Sequence, residues 1–194
     1  MSEIVLSMRD VSKTYPGVKA LDGFSFDCRA GEVHAILGEN GSGKSTLMKI
    51  ASGAIAPNGG TVEIAGRMLE RADPRQALSY GLATVYQDDS LVRELTVAQN
   101  LYLATAPGEV PYRAMTAWAA EKLAPFGLGI SPKSLVGDLT PAHRQFVEIV
   151  KALLSRPRVL LLDEPTSTLD HDGVVHLSRI VRELAAEGTG IVYV

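Results

Sequence analysis

Gly38-Glu39-Asn40-Gly41-Ser42-Gly43-Lys44-Ser45-Thr46 matches G-x-x-x-x-G-K-[ST], and the reading of this stretch decides the fold. Its glycines allow a tight turn and let successive backbone N–H groups approach an anion closely. Lys44 offers positive charge to the β- and γ-phosphates of a nucleotide, Ser45 offers a hydroxyl to Mg2+, and the helix expected to follow presents the positive end of its dipole. The flanks supply the setting that the pattern requires. Val33-His34-Ala35-Ile36-Leu37 is a short apolar run of strand character, and Leu47-Met48-Lys49-Ile50 continues as a helix. Strand, phosphate loop and helix together predict an α/β core in which Gly38 through Thr46 hold a nucleotide.

Working outward, 194 residues suffice for one domain that buries roughly 70% of the surface its unfolded chain exposes. The single cysteine, Cys28, excludes an intrachain disulfide and a Cys-based zinc site; it shares an alternating strand face with Phe24 and Phe26 and reads as a small core residue. A reducing cytoplasmic compartment is expected. With a net charge of -3 and no basic run, the chain lacks an electrostatic footprint for nucleic acid or anionic lipid. Hydrophobic content is 46%, yet no stretch approaches the ~20 apolar residues of a membrane span, and the N-terminus has no signal-peptide pattern. A membrane connection would therefore run through a partner protein.

The segment from Ile4 to Leu37 reads as short strands with turns at Pro16-Gly17, Asp22-Gly23 and Ala30-Gly31. Pro57-Asn58-Gly59-Gly60 is a strong turn, and Thr61 to Ala65 alternates like a half-buried strand, so a small antiparallel layer is expected beside the nucleotide. Asp73 and Pro74 read as N-cap and first helical residue, Gly81 as the stop, and Leu82 to Tyr86 as the next strand. Strand signals then vanish from Leu91 to Leu154. The Pro107-Gly108 and Pro111 region reads as loop, with helical runs at 113–124 and 141–154, which predicts a helical subdomain at about 88–154 inserted between core strands. Val159-Leu160-Leu161-Leu162 is the continuous apolar run of a strand covered on both faces. Val174, Leu177, Val181 and Leu184 line one face of a helix closed by Gly188, and Gly190 to Val194 is a further strand. This alternation argues for a mostly parallel sheet with covering helices.

Asp163-Glu164 follows the buried run directly, placing two carboxylates at the C-terminal edge of a parallel strand, where open α/β sheets gather ligands. Neighbouring strand residues point to opposite sides, so Asp163 holds the Mg2+ shell while Glu164 aims at a water lined up on the γ-phosphate. Gln87, at the junction with the helical insertion, offers a neutral amide to Mg2+ or water without adding negative charge beside the phosphates. As a lone residue it also reads as an ordinary polar loop position.

With these residues in view, essentially the whole chain resembles the ATP-binding cassette, or ABC, ATPase family. Ser167-Thr168-Leu169-Asp170 is similar to the family's D-loop, and Tyr15 stands where the family places an aromatic residue that stacks on adenine; packing at a strand end accounts for Tyr15 equally well. Val18-Lys19-Ala20-Leu21, Gly31-Glu32-Val33-His34-Ala35, Ala83-Thr84-Val85-Tyr86-Gln87 and Val147 to Leu153 are similar to stretches typical of monosaccharide importers of the ribose, galactose and xylose type. His34, usual in that group, reads physically as a satisfied histidine near the core. The resemblance implies ATP and Mg2+ as cofactors, with Lys44, Gln87 and Glu164 as catalytic residues and Ser45, Gln87 and Asp163 about the metal. It further implies a subunit whose helical lobe docks on membrane permease subunits, peripheral on the cytoplasmic face of the cell membrane. Such subunits pair with a second cassette, often fused in one longer chain, and serve a periplasmic or extracellular sugar-binding protein indirectly.

The chain departs from the family twice. The signature motif, usually L-S-G-G-Q, corresponds to Leu139-Thr140-Pro141-Ala142-His143. Thr140 keeps the hydroxyl and, with Ala142, stands where the opposite cassette's phosphate is contacted, while Pro141 lacks the N–H of a glycine. Thr140 as N-cap and Pro141 as first helical residue are nonetheless favoured, leaving a weakened contact through the helix dipole. His143 reads as a solvated helix-start residue, with Phe146, Val147, Ile149, Val150, Leu153 and Leu154 as the helix's buried face. The family's switch histidine follows the strand that here ends the sequence, so the expectation is a fragment containing most of a first nucleotide-binding domain. Three competing readings remain: a soluble ABC ATPase of translation or DNA maintenance, a nucleotide-binding module without turnover, and a small-molecule kinase. The first lacks basic surfaces and zinc cysteines here, and the last lacks an acceptor pocket or a lid of arginines.

Overall fold

In the computed structural model, which describes residues 2–39, 41–87, 90–105 and 108–194, the chain divides into two compact units. One comprises Met1–Thr84, Pro157–Glu164 and Val181–Val194; the other comprises Val85–Arg156 and Pro165–Ile180.

The first unit begins with a long hairpin. Ile4–Tyr15 (β1) and Val18–Arg29 (β2) pair antiparallel, with Tyr15 opposite Val18 at the Pro16-Gly17 turn and Ile4 opposite Arg29 at the far end. The turn expected at Asp22-Gly23 is not one. Gly23 lies inside β2 at φ 63, its N–H donates to the Ser12 hydroxyl at 2.9 Å, and the ladder shifts register between Val11 and Lys13. The partner strand thus absorbs the glycine as a bulge, which the local turn signal could not reveal. Gly59–Ile64 (β4) pairs with β1, and Arg67–Met68 (β5) pairs with β4, giving the order β2-β1-β4-β5. Consecutive positive φ angles at Ala65 and Gly66 join the last two strands.

The second sheet has the order β3-β8-β7-β6, built from Val33–Ala35 (β3), Gly190–Tyr193 (β8), Val159–Leu162 (β7) and Leu82–Val85 (β6). The pairings β3 with β8 and β8 with β7 are parallel, as the alternation of elements predicted. All residues of β7 are fully buried, the pattern of a strand covered on both faces. The strand expected over 33–37 ends at Ala35, and one more backbone bond, from Ile36 N–H to the Tyr193 carbonyl, carries the ladder towards the phosphate loop. Leu6, Met8 and Cys28 of the antiparallel sheet share a core with Leu161 and Val192 of the parallel one and with Leu47, Met48 and Ile50 of helix Lys44–Ala51 (α1). Gly190 marks how closely β8 approaches: a Cβ there would lie 2.5 Å from Val5 Cγ2 and 2.9 Å from the Arg29 carbonyl. Burial pushes the Cys28 thiol up to about 12, with the Glu32 charge adding to the shift, so it is an inert core residue. Helix Pro74–Ser79 (α2) starts as expected, the Asp73 carboxylate accepting the Arg75 N–H at 2.9 Å.

The second unit is helical: Val97–Tyr102 (α3), Met115–Leu123 (α4), Pro141–Leu153 (α5) and the first part of His171–Ala186 (α6). Its core gathers Leu91, Val97, Leu101, Met115, Leu123, Val147 and Val150. The pattern over 113–124 resolves into a 3-10 turn, Tyr112–Ala114, followed by α4, and α5 matches the run expected at 141–154. Asp88 at the start of the expected lobe and Pro107 of the expected loop lie outside the described residues.

Candidate functional site

The phosphate loop is shaped by contacts that predate any ligand. Gly43 is the N-cap of α1 in the left-handed region, φ 92, and a Cβ there would run into the Ala20 carbonyl and meet Leu21 at 3.1 Å. Glycine alone satisfies both the dihedral and the approach to β2. The first intrahelical bond is Leu47 N–H to the Gly43 carbonyl at 2.9 Å, so the amides of Lys44, Ser45 and Thr46 sit at the helix start, where a helix directs N–H groups outward. Lys44 Nζ donates to the carbonyls of Gly38 at 2.7 Å and Glu39 at 2.9 Å, folding over its own loop, and Ser42 N–H donates to the Glu39 carbonyl. Gly41 takes φ 84, while Asn40 lies outside the described residues.

Asp163 and Glu164 follow β7, but not as strand residues. β7 ends at Leu162, and Glu164 adopts φ 46, a left-handed backbone uncommon for a non-glycine residue. Its N–H donates to the Val194 carbonyl at 3.0 Å and Val194 N–H donates to the Leu162 carbonyl at 3.0 Å, so the end of β8 holds the turn. The two carboxylates are therefore separated by a backbone turn rather than by strand alternation, which corrects the expectation from the sequence. Asp163 is 8% exposed, and its carboxyl is pushed above the ordinary aspartate value. Desolvation by burial is the main cause and the Glu164 charge adds to it, while Lys49 and Lys44 pull the other way. The loop lysine and the strand-end carboxylate thus share one electrostatic environment within the first unit.

A raised carboxyl pKa means that Asp163 costs the fold stability once ionised: its contribution is most favourable below the ordinary carboxylate range and is lost as pH rises through the shifted value. Asp163→Asn is expected to raise the thermal midpoint of the protein near neutral pH and to flatten its pH dependence. Thermal melts of both proteins across pH check this; an unchanged or lowered midpoint for the variant contradicts it.

Tyr15 ends β1, half-exposed, with the Lys13 ammonium 5.6 Å from its ring centroid. It pairs with Val18 at the hairpin end near Ala20, the residue whose carbonyl abuts Gly43, so hairpin tip and phosphate loop belong to one neighbourhood. His34 bonds through Nδ1 to the Glu32 carboxylate at 3.1 Å and packs on Phe26 at 5.1 Å, in keeping with a satisfied histidine. The remaining predicted residues lie in the second unit. Gln87 is exposed just beyond β6, and Thr140 is the N-cap of α5, its hydroxyl accepting the His143 N–H at 3.2 Å, with Pro141 first in the helix and Ala142 next. Within 167–170, Asp170 closes the turn by accepting the Gly173 N–H at 2.8 Å before α6. Three buried polar residues of this unit escaped the sequence reading, Asn100, Gln145 and Glu148. Glu148 interrupts the apolar stripe of α5, and that interruption was the available signal.

Comparison with known proteins adds four findings. The family model described as ABC transporter matches residues 21–167. The chain is 48% identical over 193 residues to a ribose import ATP-binding protein, RbsA 1, of Rubrobacter xylanophilus, covering 98% of this chain and 39% of that protein. It is 44% identical over 191 residues to a putative ribose/galactose/methyl galactoside import ATP-binding protein of Rhizobium meliloti, covering 98% of this chain and 38% of the relative. The chain thus spans well under half the length of these relatives. Among solved structures, a nucleotide-free ATP-binding cassette from an ABC transporter superposes with a TM-score of 0.85 at 27% identity, over 98% of this chain and 80% of that one.

Proposed function

The chain belongs to the ABC transporter family, and on that premise we propose that it binds ATP with Mg2+ and hydrolyses it to energise import of a monosaccharide. The observation that carries this reading is the shared environment of Lys44 and Asp163: the charge of the phosphate-loop lysine acts on a buried carboxylate at the end of a parallel strand. The sugar class is supported by relatives named for ribose and galactoside import.

In this mechanism the helix-start amides and Lys44 bind phosphate oxygens, and Tyr15 supplies a ring face for adenine. Ser45, Gln87 and Asp163 offer the hard oxygen donors that Mg2+ takes, and the desolvated Asp163 carboxylate suits a cation. Mg2+, when bound, neutralises phosphate charge. Glu164 orients and polarises the attacking water, and phosphoryl transfer needs chiefly positioning and charge stabilisation of this kind. Thr140 and Ala142 at the start of α5 serve the nucleotide of a second cassette, in a dimer or a fused tandem. The second unit docks on membrane permease subunits at the cytoplasmic face, with a sugar-binding protein acting through the permease. No helix among the described residues is long and apolar enough to cross a membrane.

Uptake of labelled ribose, galactose, arabinose and xylose into proteoliposomes holding the permease and the full-length protein tests the reading; ATP hydrolysis that ignores the permease, with no uptake, contradicts it. The docking surface makes a sharper prediction. Leu103 exposes 63% of its surface in the segment after Gln87, an apolar side chain with no core role. Leu103→Glu is expected to leave ATP affinity within about twofold of wild type while reducing uptake by about tenfold, the cost of a charge placed in an apolar contact. Unchanged uptake moves the docking site elsewhere.

A further inference from the structure

Glu148 lies between Val147 and Ile149 in the apolar stripe of α5 and is only 8% exposed. A carboxylate in that place is unfavourable unless it is paired. One of its oxygens accepts the backbone N–H of Ser90, and Lys151, one turn further along α5, donates to the Ser90 hydroxyl at 2.8 Å and to its carbonyl at 3.3 Å. Lys151 Nζ stands 3.9 Å from the second Glu148 oxygen, completing the group. Backbone N–H, backbone C=O and hydroxyl of one loop residue are thus all held by two side chains of α5.

The loop beyond has a separate fastening. Asn100 on α3, 1% exposed, accepts the Val92 N–H at 2.8 Å and donates to the carbonyls of Val92 at 2.9 Å and Thr96 at 3.0 Å. Asn100 therefore sets the shape of the loop between Val92 and Thr96, and Glu148 and Lys151 set where its leading end lies along α5. Gln87 precedes Ser90 by three residues in the sequence, and α5 is the helix that Thr140 begins.

We propose that Glu148 and Lys151 are positioning residues, a latch that holds Ser90, three residues after Gln87, in one register on the helix begun by Thr140. The proposal rests on the ATPase reading for its consequence in catalysis, though not for the latch itself. A carboxylate buried in an apolar helix face suits this task, because it is costly without its partners and so favours the one register that supplies them.

The test uses the full-length protein with Glu148→Ala and Glu148→Gln, read by amide hydrogen exchange across 86–92 and by the kcat and KM of ATP hydrolysis. Glu148→Ala is expected to speed exchange at Ser90 by about tenfold or more, since local opening then lacks its restraint. It should lower kcat by about tenfold with KM nearly unchanged, because misplacement rather than lost binding is the defect. Glu148→Gln keeps an oxygen that accepts the Ser90 N–H, and should retain wild-type exchange and most of kcat. Unchanged exchange in Glu148→Ala overturns the latch; raised exchange with unchanged kcat overturns its role in positioning; equal loss in both variants overturns the hydrogen-bond argument. If the wild-type protein hydrolyses no ATP, the ATPase reading fails, and exchange at Ser90 still decides the latch.

Discussion

Nucleotide affinity is expected to fall by about a hundredfold when Lys44 is replaced by alanine, while the fold survives. A hydrogen bond to a charged group contributes roughly 1.5–3 kcal/mol, and each 1.4 kcal/mol is about tenfold in affinity. Lys44 already sits on its loop through the Gly38 and Glu39 carbonyls, so binding exchanges those partners for phosphate oxygens without having to order a free side chain. Its loss also removes one of the two cations that hold down the pKa of Asp163, so the pKa of that carboxyl should rise further. The core beneath α1 is made by Leu47, Met48 and Ile50, which Lys44 does not join, and circular dichroism should therefore be unchanged. Lys44→Arg keeps the charge, but its planar guanidinium is a poor replacement for a compact ammonium between two carbonyls, and affinity should recover only in part. Calorimetry showing wild-type ATP binding by a folded Lys44→Ala protein would remove the loop from the binding site.

The elements legible in the sequence were those whose cause is local. The phosphate loop is spelled by residue types that its dihedrals demand, as Gly43 illustrates, and Val159 to Leu162 announced a doubly covered strand by an unbroken apolar run. The cap pair at Thr140 and Pro141 was legible for the same reason. What escaped depends on partners distant in the chain. Gly23 looks like a turn until Ser12 is beside it, and the two residues of β5 form a strand only against β4. Helix α3 is too short for a periodic signal, although its capping box, Thr96 with Gln99, was there to be read. Glutamate has no preference for the left-handed region, so nothing local marks Glu164 as a turn residue; Val194, thirty residues on, makes it one.

That turn bears on the second large effect. Glu164→Gln is expected to reduce the rate of ATP hydrolysis by about a thousandfold with nucleotide affinity preserved, the mid-range loss for removing a general base. Glutamine has the same length and retains an amide oxygen, but it cannot take up a proton from the attacking water. A residue at φ 46 is held there by its surroundings, and here the Val194 carbonyl does the holding through a backbone bond that the substitution leaves in place. The variant should therefore fold with the turn intact. It should also relieve Asp163, because the Glu164 charge is one of the causes of that carboxyl's upward shift. With one negative charge fewer beside the phosphates, ATP is expected to bind as tightly as in wild type or more so, and the protein should accumulate in the nucleotide-bound form. Glu164→Val is the contrasting variant, since a β-branched residue is strained at positive φ and should lower the melting temperature as well as the rate. Single-turnover hydrolysis and equilibrium binding separate the outcomes. If Glu164→Gln hydrolyses ATP at a rate close to wild type, the carboxylate is not the base, and activation of water falls to the loop and Gln87.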